Sequence, residues 1–231
     1  ICINEAEVTK YSNASGLSEY REENDRYIFE GKINHPWQIA FDSTSGKLVE
    51  YIINGNNLIE DGATPCLARA ATENDLGARF DQSQDLWRSI EYIVENISVQ
   101  HLDDRYRIVV DYKQFADVAK ITLTYDIFAD GAITITERLS DAGRLSSSFM
   151  LPRFGLELCM NGAYSNLEYF GLGPYENYSD RNSSATVGLY RHRVEDMYHY
   201  GYVRPQESGT RTGWKWIQVT DDNGDGYRFF S

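Results

Sequence analysis

Cysteine, histidine and positive charge are all scarce in this chain, and each scarcity closes off a class of architecture or chemistry. The three cysteines, Cys2, Cys66 and Cys159, are odd in number and far apart. They fit neither a disulfide framework nor a Cys-x-x-Cys metal knuckle, so free thiols, buried or half-buried, are expected. His35, His101, His192 and His199 stand alone without the helical spacing of a metal pair, which argues against a zinc site; His192, between two arginines, is expected at the surface. Lys and Arg number 22 against 35 Asp and Glu, a net charge of −13 with no long basic block. Neither nucleic acid nor an anionic membrane is a suitable partner for such a surface. No apolar run approaches the roughly 20 residues of a spanning helix, and the N-terminus lacks a basic-apolar-small signal pattern. The reading is a soluble protein, cytoplasmic or periplasmic, with nothing to separate the two.

Aromatic residues, by contrast, are plentiful at 13%, led by 17 tyrosines, a composition that leans towards strands. With 231 residues the chain can hold one large all-β domain or two small ones, and one is expected. Trp37–Asp42 alternates apolar with small or polar residues, 43–46 reads as a turn and 47–53 as the returning strand of a hairpin. Residues 107–112 and Lys120–Phe128 are further strands, and Asp130-Gly131 turns the latter into 132–137. One helix is expected over 84–95, where Leu86, Trp87, Ile90 and Ile93 recur every three or four residues, although Tyr92-Ile93-Val94 also suits a strand end. Ser- and Glu-rich residues 12–25 read as a solvated segment. Asp221-Asp222-Asn223-Gly224-Asp225-Gly226 imitates the start of a calcium loop, but strand-like flanks on both sides make it a hairpin turn. Many strands with short turns and no βα alternation imply an antiparallel sandwich.

Three blocks carry candidate chemistry. Residues 169–181, Tyr-Phe-Gly-Leu-Gly-Pro-Tyr-Glu-Asn-Tyr-Ser-Asp-Arg, read as an ordered loop: Gly171 and Gly173 admit unusual backbone, Pro174 fixes a dihedral, and Glu176, Asn177, Asp180 and Arg181 can satisfy one another. In residues 65–77, Arg69, Glu73, Asn74 and Asp75 form a compact polar set beside Gly77. It is either an internal Arg-carboxylate pair or part of a binding rim. Residues 202–212 contain Arg204-Pro205-Gln206-Glu207-Ser208-Gly209-Thr210-Arg211. Trp37, Trp87, Trp214 and Trp216 are either sugar-stacking surfaces or ordinary core residues.

In this order, the blocks resemble signatures of the C-terminal domain of family 2 β-galactosidases, which some bacteria make as a separate small subunit. The second block follows the family's R-A-P-x-D-N-D-x-G pattern except at Ala71, where the family has proline, and Glu73, where it has aspartate. The resemblance implies an all-β, large antiparallel super-sandwich of the galactose mutarotase type. Residues 31–231 would be that domain, truncated at its C-terminal end, and 1–30 a linker or edge segment; the whole reads as cut from a longer polypeptide. In the family, retaining hydrolysis of β-galactosides uses two glutamates on a TIM barrel, an architecture without counterpart here. This chain is therefore expected to be inactive alone, to carry no catalytic residue and no metal or other cofactor, and to leave Mg and Na to other domains. Its implied partners are the catalytic barrel, the β-galactoside and further copies of the full enzyme. The implied rim is Arg69, Glu73, Asn74, Asp75 and the mobile stretch from Gly77 to Asp85, including Arg79 and Asp81. Gly171, Gly173, Pro174, Glu176, Asn177, Asp180, Arg181, Arg204, Pro205 and Glu207 are expected to be structural. An aldose-1-epimerase on the same fold and a carbohydrate-binding module are the competing readings.

Overall fold

A computed structural model describes residues 19–80, 85–113, 119–140 and 151–231. The chain divides into two compact units, residues 1–68 with 84–159, and residues 69–83 with 160–231. Both are antiparallel β. Among the described residues, helix is limited to α1 (Glu73–Gly77), α2 (Asp85–Arg88), a 3₁₀ turn, Val194–Met197, and the helical residue Phe80. No helix among them is long and apolar enough to cross a membrane.

In the first unit, β1 (Glu19–Glu23), β2 (Arg26–Gly31), β3 (Trp37–Asp42), β4 (Leu48–Ile53) and β5 (Asn56–Asn57) pair in sequence order into one sheet. β6 (Ile59–Pro65) follows. Next come β7 (Val94–His101), β8 (Arg105–Tyr112), β9 (Lys120–Phe128) and β10 (Ile133–Ser140), a second four-stranded meander; β11 (Leu156–Met160) pairs with β6. The two larger sheets face each other because period-2 patterning gives each an apolar side. On β9, Ile121, Leu123, Tyr125 and Ile127 are buried while the residues between them are half-exposed. Phe41 packs edge-on against Tyr125 at 4.9 Å and Phe29 meets Tyr106 at 5.2 Å, closing the interior between the sheets. Burying each such side chain contributes about 1.5–3 kcal/mol. The Asp130-Gly131 turn is tied into this core. Gly131 has φ +85° with Trp37 so close that a Cβ would lie 2.7 Å from the ring, and its carbonyl accepts from the Tyr51 hydroxyl at 2.7 Å.

Residues 26–31 form an interior strand with Ile28 and Phe29 buried, because their apolar pair lies opposite Ala40 and Ile39 of β3. One expectation changes here. The helix expected over 84–95 shrinks to the single turn of α2, which buries Trp87, and the β-favouring residues from Val94 onward join the sheet.

In the second unit, β12 (Asn166–Gly173), β13 (Thr186–Arg193), β14 (Trp216–Thr220) and β15 (Gly226–Phe230) form a sheet in the order β13-β12-β14-β15. Tyr169, Tyr190, Ile217 and Phe229 share one face, with Tyr169 fully buried; Leu189, Phe170, Trp216 and Phe230 form a row on the other. The hairpin turn between β14 and β15 is the one expected: the Asp221 carboxylate accepts from the N–H groups of Asn223 and Asp225, at 2.8 and 2.9 Å. His192, expected at the surface, is half-buried and stacked on Tyr169 at 6.0 Å, its position on β13 turning it towards the buried face.

Candidate functional site

The first and third sequence blocks and residues 69–77 of the second lie in the second unit. The first is strand before it is loop: residues up to Gly173 belong to β12, and the loop starts after the cis Gly173–Pro174 bond. Gly171 is required by close approach and not by turn geometry, since a Cβ there would sit 2.6 Å from the Trp214 backbone.

Beyond Pro174 the chain is held by two buried polar side chains. Asn177, 1% exposed, donates from Nδ2 to the carbonyls of Leu172 and Tyr175 at 3.0 and 3.1 Å. Its Oδ1 accepts from the Thr212 backbone N–H at 2.9 Å and from the Thr212 hydroxyl at 2.5 Å. One amide thus ties the first block to the third. Glu176, with 9% of its side chain exposed, accepts from Arg181 at 2.5 Å, from the Tyr202 hydroxyl, and from the Gly209 N–H at 2.9 Å. Burial pushes its carboxyl up, but these donors together outweigh burial and hold it below the usual carboxylate range. Arg181 also lies over the Tyr178 ring at 5.3 Å.

The second block closes on itself around α1. Arg69 clamps Asp75 with two hydrogen bonds, 2.6 and 3.2 Å, while the Asp75 carboxylate also accepts from the Thr72 N–H at 2.8 Å and the Thr72 hydroxyl accepts from the Asp75 N–H at 3.1 Å. This is a capping box that starts α1. Burial raises the Asp75 carboxyl, and the Arg69 and Thr72 hydrogen bonds reverse that and lower it. The third block joins in through the Glu207 N–H, which donates to the Ala71 carbonyl at 3.4 Å, and the Gln206 side chain, which accepts from the Glu73 N–H at 3.1 Å.

The structure therefore pairs Arg69 with Asp75 in one cluster and, in a second, ties Glu176 to Arg181 and Asn177 to Thr212. Glu73 and Asn74 are exposed on α1, and Asp180, Arg204 and Pro205 are exposed outside this network. Gly77 ends α1 in ordinary backbone, with nothing within 4 Å of a Cβ; the left-handed residue is Arg79, φ 57°. Asp81 lies outside the described residues. Tyr202, Gln206, Gly209 and Thr212, assigned no role from sequence, supply much of the network, and nothing local marks that role, since their partners lie 26 or more residues away. Thr72 could have been found: Thr72-x-x-Asp75 before α1 is the capping pattern.

Among the described residues no three His, Cys, Asp or Glu side chains converge as metal ligands. Trp37 and Trp87 are core residues, 3% and 2% exposed; Trp214 and Trp216 are half-buried. Cys66 is half-buried and Cys159 exposed, the latter against expectation because it points from the outer side of β11; Cys2 lies outside the described residues.

A β-galactosidase from Priestia megaterium is 32% identical, covering 81% of this chain and 18% of that protein. One from Halalkalibacterium halodurans is 30% identical over 82% of this chain and 19% of its own length, and one from Streptococcus thermophilus is 30% identical over 84% and 19%. The chain spans about a fifth of the length of the curated relatives it matches. The family described as "Beta galactosidase small chain" matches residues 33–231, and with that span reaching across both units the chain belongs to the β-galactosidase small-chain family.

Proposed function

We propose that this chain is the C-terminal domain of a family 2 β-galactosidase, non-catalytic in itself, which shapes the rim of the active site and builds subunit contacts. The carboxylate pair for retaining hydrolysis comes from a barrel domain elsewhere in the polypeptide, as do the sites for Mg and Na, and the complete enzyme is a homo-oligomer acting on terminal β-galactosides. The observation that carries this reading is coverage: relatives named β-galactosidase extend far beyond the 18–19% that this chain matches. The state of the acids supports it. A retaining glycosidase needs one carboxyl group protonated as general acid beside a second one about 5–5.5 Å away. Asp75 and Glu176 are instead locked as anions by arginine and backbone donors.

On this reading the Arg69–Asp75 clamp is the fixed base of the rim, and the stretch from Gly77 through Arg79 and Asp81 to Asp85, of which 81–84 lie outside the described residues, is its substrate-facing part. The purified chain should turn over no chromogenic β-galactoside, and adding the remainder of the enzyme should restore activity. Robust turnover by the chain alone would overturn the reading. In the complete enzyme, Gly77→Ala should shift kcat/KM severalfold while causing no loss of melting temperature. Unchanged kinetics would remove the rim role from this segment.

A further inference from the structure

A cleft of about 300 Å³ opens in the second unit between the loop after β12 and the Val194–Met197 turn with the tyrosines that follow it. That volume is at the small end of ligand pockets, which run from about 300 to 1,000 Å³, and suits a single ring-sized ligand. Two aromatic rings line the cleft and are open to solvent: Tyr175 is 81% exposed and Tyr198 49%. Tyr198 is braced edge-on by Tyr200 at 4.6 Å.

The polar lining is balanced in charge and largely immobilised. Arg181 is fixed by Glu176 and Tyr202, and Arg211 is fixed through Nη1 by the carbonyls of Gly209 and Thr210 at 3.0 and 3.3 Å. Two carboxylates, Glu176 and Asp196, share the lining with these two guanidinium groups, Glu176 bonded to Arg181. Glu176 is saturated with donors, whereas Asp196 is exposed and engages no hydrogen bond or ion pair among the described residues, so it is the open acceptor. A site with equal opposite charges favours neither an anion nor a cation. What it does match is a neutral ring with one apolar face for stacking and a rim of hydroxyls that both donate and accept.

We propose that this cleft binds one neutral hexopyranoside unit of a saccharide, with Tyr175 and Tyr198 against its apolar face and Asp196 and Arg181 taking its hydroxyls. Every group required is in this chain, so the inference does not depend on where the catalytic carboxylates lie.

The test is a calorimetric titration of the full-length protein, its catalytic centre blocked by a covalent 2-fluorogalactosyl inactivator, with methyl β-D-galactoside, methyl β-D-glucoside and methyl β-D-glucuronide as probes. Saturable binding of at least one neutral glycoside is expected to survive the block, on the order of millimolar as for a small shallow site. The double variant Tyr175→Ala/Tyr198→Ala should weaken it at least tenfold, and Asp196→Asn severalfold. Val203→Ala, exposed and outside the cleft, should leave it unchanged. Unaltered melting temperatures in the tyrosine variants separate loss of binding from loss of fold. Absence of residual binding, binding indifferent to the double variant, or tighter binding of the glucuronide than of either neutral glycoside would each overturn the proposal. Turnover decides the rim reading and binding under the block decides this one, so either can fail without the other.

Discussion

Glu137 in the first unit and Glu176 in the second are both shielded acids, yet their carboxyl groups are driven in opposite directions. Glu137 lies on β10 opposite the buried Leu123, on the inward side of the sheet, and neither carboxylate oxygen finds a hydrogen-bond partner among the described residues. Burial alone pushes it up to about 7. Its charge also acts on Tyr112, a phenol pushed up to about 12, first by its own burial. Glu176 is also withdrawn from water but has three donors aimed at it, and it is held below the usual range. Water is removed in both places; only in the second does the protein replace it with donors. The units differ in the same way throughout. The first is a sandwich closed by aromatic and aliphatic side chains, while in the second the long segments outside the sheet are fastened by side-chain-to-backbone hydrogen bonds.

The comparison can be broken at its strongest points. Phe41→Ala, which removes a fully buried ring from between the sheets of the first unit, should cost about 4 kcal/mol in denaturant unfolding. A loss under about 1 kcal/mol would mean that apolar packing does not dominate there. Asn177→Ala should cost about 3 kcal/mol although it removes little apolar surface, because it leaves two carbonyls, an N–H and a hydroxyl unpaired in a buried place. If Asn177→Ala unfolds like a surface variant, the second unit is not held by its polar network.

The two acids should separate by pH. A group whose folded pKa is raised contributes stability below its unfolded pKa and loses that contribution as pH rises through the folded value. Glu137 should therefore weaken the protein as pH climbs through about 7, and Glu137→Gln should remove that slope. The difference is about 1–2 kcal/mol once solvent screening around a half-buried residue is allowed for. Glu176 and Asp75 have lowered values and act in the opposite sense: their contribution is present above the unfolded pKa and disappears as pH falls through the folded one. Parallel melting curves for wild type and Glu137→Gln from pH 5 to 9 would contradict the assignment. The smallest effect belongs to Gly77→Ala, which should change stability by no more than about 0.5–1 kcal/mol, towards stabilisation, since its backbone is ordinary and a Cβ meets nothing. A larger loss would show that the end of α1 is packed more tightly than its open surroundings imply.

Some of this was legible from residues alone. Alternation in Lys120–Phe128 specifies a half-buried strand because successive side chains point to opposite faces, and β9 follows it residue for residue. Asp-Gly at 130–131 and the Asp221 loop are turns for local reasons, and both are turns in the structure. The helix over 84–95 failed because a three-to-four spacing in a short apolar stretch is also met by one helical turn followed by a strand.

The amino-acid sequence by itself determined an antiparallel all-β protein, the position of most turns and the presence of three polar blocks, since each depends on neighbours within a few residues. Tertiary structure alone decided that Tyr202, Gly209 and Thr212 complete a network begun at Glu176 and Asn177. It also turned Glu137 inward without a partner. These depend on which distant segments meet, and a hydrogen-bond donor 35 residues away leaves no trace in local pattern.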